Sequence, residues 1–356
     1  MNIAQYRLLA QHIATPTFDS AESVVSWMGA MQAQDYQSAL WSVGLRSSGL
    51  TQTDIEQAIA GRKIIRTWPM RGTLHFIAAK DARWMVKLLA PRATAAAATR
   101  RKNLGLNDAV INKSKAILTS ALIGGNAITR GDLCALLGKT GIDPSGQRGI
   151  HILRYFSELG LLCFGPHQGK QPTFVLMDEW LAPTKELSRD ESLAQLTKRY
   201  FISHGPATVR DYAGWANITL RDARQGLHFV SNQLRETSID GNTYWYNPRL
   251  EEASLPNAAY LLPGFDEYML GYKDRSAALH PTHAQKIVPG ANGVFLPTVI
   301  VDGQVVGTWR KVIRKAGLEI QLTLFQTLSK KDLIAIETAA WRYSAFIQLP
   351  THVKTA

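Results

Sequence analysis

The sequence predicts an α+β protein in which three tandem winged-helix units are followed by a small antiparallel β-barrel domain. Two observations support this fold class. Helices followed by a two-stranded ribbon occur three times in the first 255 residues. Beyond them, apolar and polar positions alternate between short turns, which is typical of antiparallel strands. The predicted domains are residues 1–80, 81–185, 186–255 and 256–356.

The first unit begins with three predicted helices. Asp19 and Glu22 have the spacing of a capping box, and apolar residues from Val24 to Met31 then recur on one helical face. A second helix is predicted over residues 37–46, and a third in TQTDIEQAIAGRK. The segment KIIRTWPMRGTLHFI is rich in β-forming residues around a proline and a glycine, so it predicts the ribbon.

The same order of elements recurs at two later places. One is AITRGDLCALLGKTGIDPSGQRGIHILRYFSELGLLCFG, and the other is PATVRDYAGWANITLRDARQGLHFVSNQLRETSIDGNTYWYN. Three positions match at separations of 79, 79 and 77 residues, which indicates an internal repeat. The matched pairs are Thr129 with Thr208, Asp132 with Asp211, and His151 with His228.

The C-terminal part has a strand pattern. Apolar and polar residues alternate in two segments, AAYLLPGFDEYMLGY and GVFLPTVIVDGQVVGTWRKVIRKAGLEIQLTLF. Turn dipeptides occur at Asp302-Gly303 and Ala316-Gly317. A final helix, SKKDLIAIETAAWRYSAFI, is predicted to close the chain. These features predict the small β-barrel domain.

Composition and charge limit the classes of protein and of binding partner that fit this sequence. The 356-residue chain is 46% hydrophobic and 19% charged, as expected of a folded soluble protein, and no apolar run approaches the roughly 20 residues of a membrane span. Its net charge is +12, and residues 62–102 hold eleven Lys or Arg against one acid. A solvated helix face is the ordinary reading of one charge run, but so one-sided a concentration in a basic chain favours a polyanion such as nucleic acid.

Several common chemistries are excluded. Cys134 and Cys163 form no CxxC, so neither disulfides nor a zinc site is indicated, and a cytoplasmic location is expected. The GKT at residues 138–140 is not a phosphate-binding loop, because the pattern requires a glycine five residues before Gly138 and that position is Leu133. The HPTH histidines at residues 280 and 283 have no third ligand nearby, so neither a metal nor a cofactor is expected.

The segment MQAQDYQSALWSVGLR contains a pair of glutamines, Gln32 and Gln34. In a continuing helix their side chains would point to nearly opposite sides, so they can serve one site only if the helix ends first. Taken alone, the pair also fits a helix end whose amides satisfy loose backbone groups. Asp35 could act as a base, although capping the following helix is the commoner role for an aspartate there.

Four stretches occur in an order that resembles the bacterial winged-helix DNA glycosylases of the AlkZ and YcaQ type. They are QAQDY, RTWPMRGTLHF, LLPGFDEYMLGYKDR and VDGQVVGTWR, and they span most of the chain. The resemblance implies three winged helices and a β-barrel wrapped around duplex DNA, with a Gln-X-Gln catalytic motif that falls on Gln32 and Gln34. The YcaQ-type branch has aspartate at the second position, so Gln34 places the chain nearer the AlkZ type.

Other residues are expected to contact DNA or line the site. In the first ribbon, Trp68 suits stacking but equally suits the core, and His75 has a structural alternative. The residues at the tip of the second ribbon fit a solvated loop as well as they fit a DNA contact. The full set is Asp35, Tyr36, Arg66, Trp68, Arg71, His75, His167, Lys170, Arg310 and Lys311.

The resemblance implies a monofunctional DNA glycosylase that hydrolyses the N-glycosidic bond of N7-alkylated purines and also unhooks interstrand crosslinks. Its partner would be double-stranded DNA carrying these lesions, and the protein would act as a monomer away from membranes. The rival function is a winged-helix transcriptional regulator without catalysis. A dimeric regulator presents one recognition helix per subunit to a palindromic site, whereas three units and a barrel in one chain suit a monomer around a lesion.

Overall fold

The chain forms two compact units in this computed structural model, which describes residues 1–250, 258–314 and 317–355. Unit 1 comprises Met1–Glu56, Ala194–Trp215 and Thr219–Ala356, and unit 2 comprises Gln57–Leu193 and Ala216–Ile218. The predicted boundary between residues 255 and 256 lies outside the described residues, as does Ala316 of the predicted turn.

The N-terminal elements are α1 (Ile3–Ala10), α2 (Ala21–Met28), β1 (Met31–Gln32), α3 (Tyr36–Gly44) and α4 (Gln52–Ala60). The predicted helices are present, with two corrections. Ser20, not Asp19, caps α2, because its side chain accepts the Ser23 N–H at 3.2 Å. The helix also ends at Met28 rather than Met31. Met31 is apolar and buried, as on a helix face, but it lies in the strand that follows.

The next elements are β2 (Ile64–Met70), β3 (Thr73–Ala78), α5 (Ala82–Ala96), α6 (Ala98–Asn103), α7 (Asp108–Leu122), β4 (Ile128–Thr129), α8 (Arg130–Lys139), α9 (Arg148–Glu158), β5 (Leu162–Gln168), β6 (Gln171–Leu176) and α10 (Met177–Trp180). The first two predicted ribbons are antiparallel hairpins, β2 with β3 and β5 with β6. The core of unit 2 joins them to the helices, and it includes Trp68, Leu118, Leu133, Phe156 and Phe174. Helices α5 to α7 were not predicted.

The chain continues through α11 (Arg189–His204), α12 (Val209–Ala216), α13 (Leu220–Val230), β7 (Arg235–Ile239) and β8 (Asn242–Tyr246). The repeat predicted from the sequence has a local structural counterpart. The Thr129 hydroxyl donates to Asp132 at 2.7 Å, and the Thr208 hydroxyl donates to Asp211 at 2.9 Å, each at the start of a helix. The long α11, which precedes the third occurrence, was not predicted.

The C-terminal elements are β9 (Ala259–Leu262), α14 (Glu267–Leu270), α15 (Ala284–Ile287), β10 (Thr298–Val301), β11 (Gln304–Arg314), β12 (Gly317–Leu324), α16 (Lys330–Ile347) and β13 (Thr351–Thr355). They form a five-stranded sheet in the order β13-β12-β11-β10-β9. The turn at Asp302-Gly303 is confirmed, because Val301 pairs with Gln304 across it.

The sheet differs from the fully antiparallel prediction at one edge. β13 pairs with β12 in parallel, whereas the other pairings are antiparallel. A parallel neighbour needs a crossover connection, and α16 supplies it by carrying the chain back to the start of β12. The helix predicted to close the chain is therefore followed by one more strand.

Candidate active site

The glutamine pair follows an enforced helix end. Gly29 closes α2 with a φ of +82°, and its N–H donates to the Val25 carbonyl at 2.9 Å. Residues with a side chain rarely adopt this backbone conformation. A Cβ at this position would also lie 3.2 Å from the Cδ of Arg199. The chain therefore leaves the helix before the pair, as the sequence analysis required.

The segment from Met31 to Gln34 alternates between buried and accessible residues. Met31 and Ala33 are fully buried, Gln32 is half-buried and Gln34 is exposed. Strand β1 covers only Met31 and Gln32, and Gln34 lies in the bend that precedes α3. Both glutamines are therefore outside a helix, and the side chains of both are at least partly accessible.

A buried carboxylate supports this segment from within unit 1. The N–H of Gln32 donates to Glu267 Oε1 at 2.8 Å, and the indole Nε1 of Trp215 donates to Glu267 Oε2 at 2.9 Å. Glu267 has 0% relative exposure. Glu267 was not among the residues predicted for the site, although two adjacent acids inside the apolar stretch PGFDEYML were a usable signal for a buried polar site.

His204 lies beside this carboxylate but does not neutralise it. Its Nε2 is 3.8 Å from Glu267 Oε2, too far for a hydrogen bond, and Nδ1 is 2.8 Å from the Ser203 hydroxyl. Burial lowers the pKa of His204, and this effect outweighs the opposing one of Glu267. The imidazole is therefore neutral near pH 7 and supplies no counter-charge to Glu267.

The residue before Glu267 anchors the same turn. Asp266 accepts from both terminal nitrogens of Arg46, each at 2.9 Å, and from the Ser42 hydroxyl at 2.6 Å. Arg46 also donates to Gln11 at 2.6 Å. Asp266 and Arg46 are fully buried, so this bidentate ion pair fixes α3 to the turn that carries Glu267.

Asp35 is a helix cap, the commoner of its two expected roles. Its side chain accepts the Ser38 N–H at 2.7 Å at the start of α3, and its backbone is extended. This contact engages Oδ1 of an exposed carboxylate. Tyr36, the first residue of α3, is half-buried. Asp35 explains why α3 begins one residue before the predicted start.

The first ribbon, in unit 2, divides its predicted site residues between core and surface. Trp68 is 6% exposed, and its ring lies 5.2 Å from that of Phe164, so it packs in the core. The guanidinium of the half-buried Arg66 lies 5.1 Å from the centre of the same Phe164 ring. Aromatic packing and a cation–π contact therefore hold these two residues against the second ribbon.

Arg71 and His75 form a contact at the ribbon's turn. His75 is fully buried, with Nδ1 2.9 Å from the Thr73 carbonyl and Nε2 2.9 Å from an Arg71 guanidinium nitrogen. Nδ1 faces an acceptor and Nε2 faces a donor, which fits a neutral ring with its proton on Nδ1. His75 therefore has the structural role left open by the sequence, and it orients the half-buried Arg71.

The remaining predicted contacts are exposed. His167 and Lys170 lie at the tip of the β5–β6 hairpin in unit 2. Arg310 and Lys311 lie on β11 in unit 1, where Arg310 Nε donates to Gln321 at 2.7 Å and Lys311 Nζ donates to the Tyr343 hydroxyl at 3.0 Å. The first pair belongs to unit 2 and the second to unit 1.

The basic stretch has both structural and surface members. In unit 2, Arg83 forms an ion pair with Asp178, and the guanidinium of Arg62 lies 4.0 Å from the ring centre of Trp180. Arg100 and Lys102 on α6 are exposed. Part of the positive charge therefore makes contacts within unit 2, including a hydrogen bond from Arg100 to Gln147 at 2.8 Å, while Lys102 is exposed on α6.

A further basic face was not found from the sequence. On α13 the buried positions Ala223, Gly226 and Val230 recur at helical spacing. The exposed positions between them include Arg221, Arg224 and His228. The helix is thus amphipathic, with its apolar face packed in the fold and a cationic face towards solvent.

No cluster of three or more metal-ligating side chains exists among the described residues. Burial raises the pKa of Cys163 to about 12, and burial also raises that of the half-buried Cys134, so neither thiol has the character of a nucleophile. No helix in the described part of the chain is long and apolar enough to cross a membrane.

Comparison with known proteins identifies the class as DNA glycosylases. Residues 25–346 match the family model described as DNA glycosylase AlkZ-like, so the chain belongs to this family. The resemblance seen in the sequence is thereby confirmed.

A curated relative and a solved structure agree with this assignment. The Interstrand DNA cross-link repair glycosylase of Streptomyces sahachiroi is 26% identical over 368 residues, covering 98% of this chain and 97% of that protein. The structure of Streptomyces sahachiroi DNA glycosylase AlkZ matches with a TM-score of 0.81 and 24% identity, covering 99% of this chain and 98% of that one. The second match shows the shared α+β fold.

Proposed function

We propose that this chain is a monofunctional DNA glycosylase that hydrolyses the N-glycosidic bond of N7-alkylated purines, with Gln32 and Gln34 as its catalytic residues. The observation that carries the proposal is the end of α2 at Gly29, after which Gln32 is half-buried and Gln34 is exposed outside any helix. Membership of the AlkZ-like DNA glycosylase family supplies the reaction class.

The chemistry suits uncharged side chains. An N7-alkylated purine is cationic and leaves as a neutral base, so its bond to the sugar breaks through an oxocarbenium-like state without a general acid. The enzyme then has to stabilise positive charge on the sugar and hold a water. An amide carbonyl accepts a hydrogen bond from water and presents its negative end to the cation. Two converging amides perform both tasks, and no lysine Schiff base is involved.

Interstrand crosslinks are proposed as substrates of the same site. The curated relative that aligns along almost the whole chain is named for crosslink repair. Most glycosylases flip the target base into a closed pocket, which a purine tied to the opposite strand could not enter. Exposed Gln34 and half-buried Gln32 suit an open site that reads the lesion within the duplex.

Three winged helices and a barrel domain, with the domain layout predicted from the sequence, are proposed to surround the duplex. Arg66, Arg71, His167, Lys170, Arg310 and Lys311 are the proposed DNA contacts, with Tyr36 lining the site and Asp35 capping α3. Trp68 and His75 support the ribbon from inside. Most of the binding energy would come from phosphates, so affinity should fall steeply with salt. One chain suffices for this arrangement, so we propose a monomer.

The experiment is base release from two duplexes, one carrying N7-methylguanine and the other an N7-to-N7 purine crosslink. The proposal expects abasic sites in the first and separated strands in the second, at a rate that saturates with protein. Tight binding to both duplexes without release from either would contradict it and favour the non-catalytic regulator, which the family assignment does not favour.

A further inference from the structure

We propose that Glu267 is a positioning residue for the glycosylase reaction: it fixes the main chain of Gln32 and thereby the direction in which the Gln32 amide faces the lesion. The inference rests on the proposed function, because it requires Gln32 to be catalytic. Glu267 lies 235 positions from Gln32 in the sequence, and it contacts the backbone N–H of Gln32 rather than the side-chain amide.

Both carboxyl oxygens of Glu267 accept a hydrogen bond. Oε1 accepts the Gln32 N–H at 2.8 Å, and Oε2 accepts the Trp215 indole N–H at 2.9 Å. Hydrogen bonds to a charged acceptor are about twice as strong as neutral ones. With one oxygen bound to a buried indole, the other cannot follow a moving strand. The peptide plane at the backbone N–H of Gln32 is therefore held in one place.

The turn that carries Glu267 is held by its own hydrogen bonds and by close packing. Asp266 is clamped by Arg46 and also accepts the Tyr268 N–H at 2.9 Å. Gly271 closes the turn where a Cβ would lie 2.6 Å from the Glu267 carbonyl and 2.8 Å from His204 Cδ2. The carboxylate is thus attached to a frame that packs too tightly to shift.

A carboxyl group is a costly choice for this buried position. Burying an ionised carboxylate costs several kcal/mol, whereas a neutral carbonyl would satisfy a backbone N–H without that cost. His204 lies beside Glu267 without forming a hydrogen bond to it. The chain thus keeps a carboxyl group, rather than a neutral amide, behind the residue proposed to face a developing cation.

The test is Glu267→Gln, which keeps the size of the side chain but offers one acceptor oxygen to two N–H donors. The matched control is Glu158→Gln, because Glu158 is a buried glutamate in unit 2 that likewise accepts from two donors, Thr94 and Arg154. Three quantities are measured for each variant. They are the single-turnover rate of N7-methylguanine release, the Kd for the lesion duplex, and the hydrogen-exchange rate of the backbone N–H of Gln32.

The expected result for E267Q is a rate lowered on the order of 10- to 100-fold, as for a misplaced catalytic group. Its Kd stays within about twofold, because the phosphate contacts that dominate affinity are untouched. The Gln32 amide exchanges faster. For E158Q, all three quantities stay near the wild-type values. If E267Q does not fold, Trp215→Phe frees only Oε2 and should give a smaller loss of rate at unchanged Kd.

Three results would overturn the inference. An unchanged rate in E267Q with faster Gln32 exchange would show that the contact exists but does not serve catalysis. Loss of rate and DNA affinity together would assign Glu267 to the fold alone. A wild-type protein without base release would refute the proposed function and this role with it, and Gln32 exchange in the same samples would separate that outcome from a missing contact.

Discussion

Replacing Asp266 with asparagine should destabilise the protein strongly. Asp266 receives two guanidinium nitrogens of Arg46 at 2.9 Å and the Ser42 hydroxyl at 2.6 Å, with both ionic partners fully buried. Asparagine keeps the shape but removes the counter-charge, and its NH₂ group opposes a donor. The Arg46 cation would then remain buried without compensation.

The expected loss is about 3–5 kcal/mol of unfolding free energy, the usual cost of removing one partner of a buried ion pair. The assay is denaturant unfolding followed by tryptophan fluorescence, compared at constant m-value. The control is Lys87→Met, which removes an exposed pair with Glu186, whose two side chains are 74% and 91% exposed and 4.0 Å apart.

Such an exposed pair contributes about 0–1 kcal/mol, so K87M should change stability little. A D266N loss below about 1 kcal/mol, similar to that of the control, would refute the argument that this network holds the turn behind the glutamine segment. Arg46→Met combined with Asp266→Leu should recover part of the loss, because no unpaired charge stays buried.

Two further predictions concern the helix end and the buried thiol. Gly29→Ala should cost at least about 1–2 kcal/mol in denaturant unfolding, because Gly29 has a φ of +82° and alanine would be strained there; Gly131→Ala, inside α8, should cost nothing, and equal effects would contradict the explanation. Burial raises the pKa of Cys163 in the folded protein from 9.0 to about 12. The stability that the protonated thiol contributes is therefore complete below pH 9 and is lost as the pH rises towards 12. Between pH 8 and pH 10 the wild type should therefore lose about 1.4 kcal/mol more stability than Cys163→Ala, and parallel pH profiles would contradict the buried-thiol assignment.

Local patterns predicted much of the fold. The helices α2 to α4 and the first two ribbons follow from short-range periodicity and turn residues, and the Thr129 and Thr208 contacts match the internal repeat. The end of α2 was misplaced because Met31 is as buried in an extended segment as on a helix face. Burial alone does not distinguish the two conformations; the positive φ of Gly29 does.

Long-range contacts set the limit for the rest. The parallel β13 depends on how α16 returns the chain, which no local pattern contains. Glu267 was missed because its contact with Gln32 joins residues 235 positions apart. Trp68 was assigned equally to stacking and core, and its ring packs against Phe164 in unit 2. For the site, the sequence identified the glutamine pair and the need for a helix end, but not the carboxylate behind it.

The central claim is that Gln32 and Gln34 catalyse base release, and single-turnover kinetics test it most directly. Release of N7-methylguanine from duplex DNA would be measured for the wild type, Gln32→Ala and Gln34→Ala, with the Kd for the same duplex. The account predicts a rate reduced on the order of 100-fold or more in both variants with little change in Kd, because the amides stabilise the transition state rather than the bound DNA. Release at the wild-type rate by either variant would contradict it.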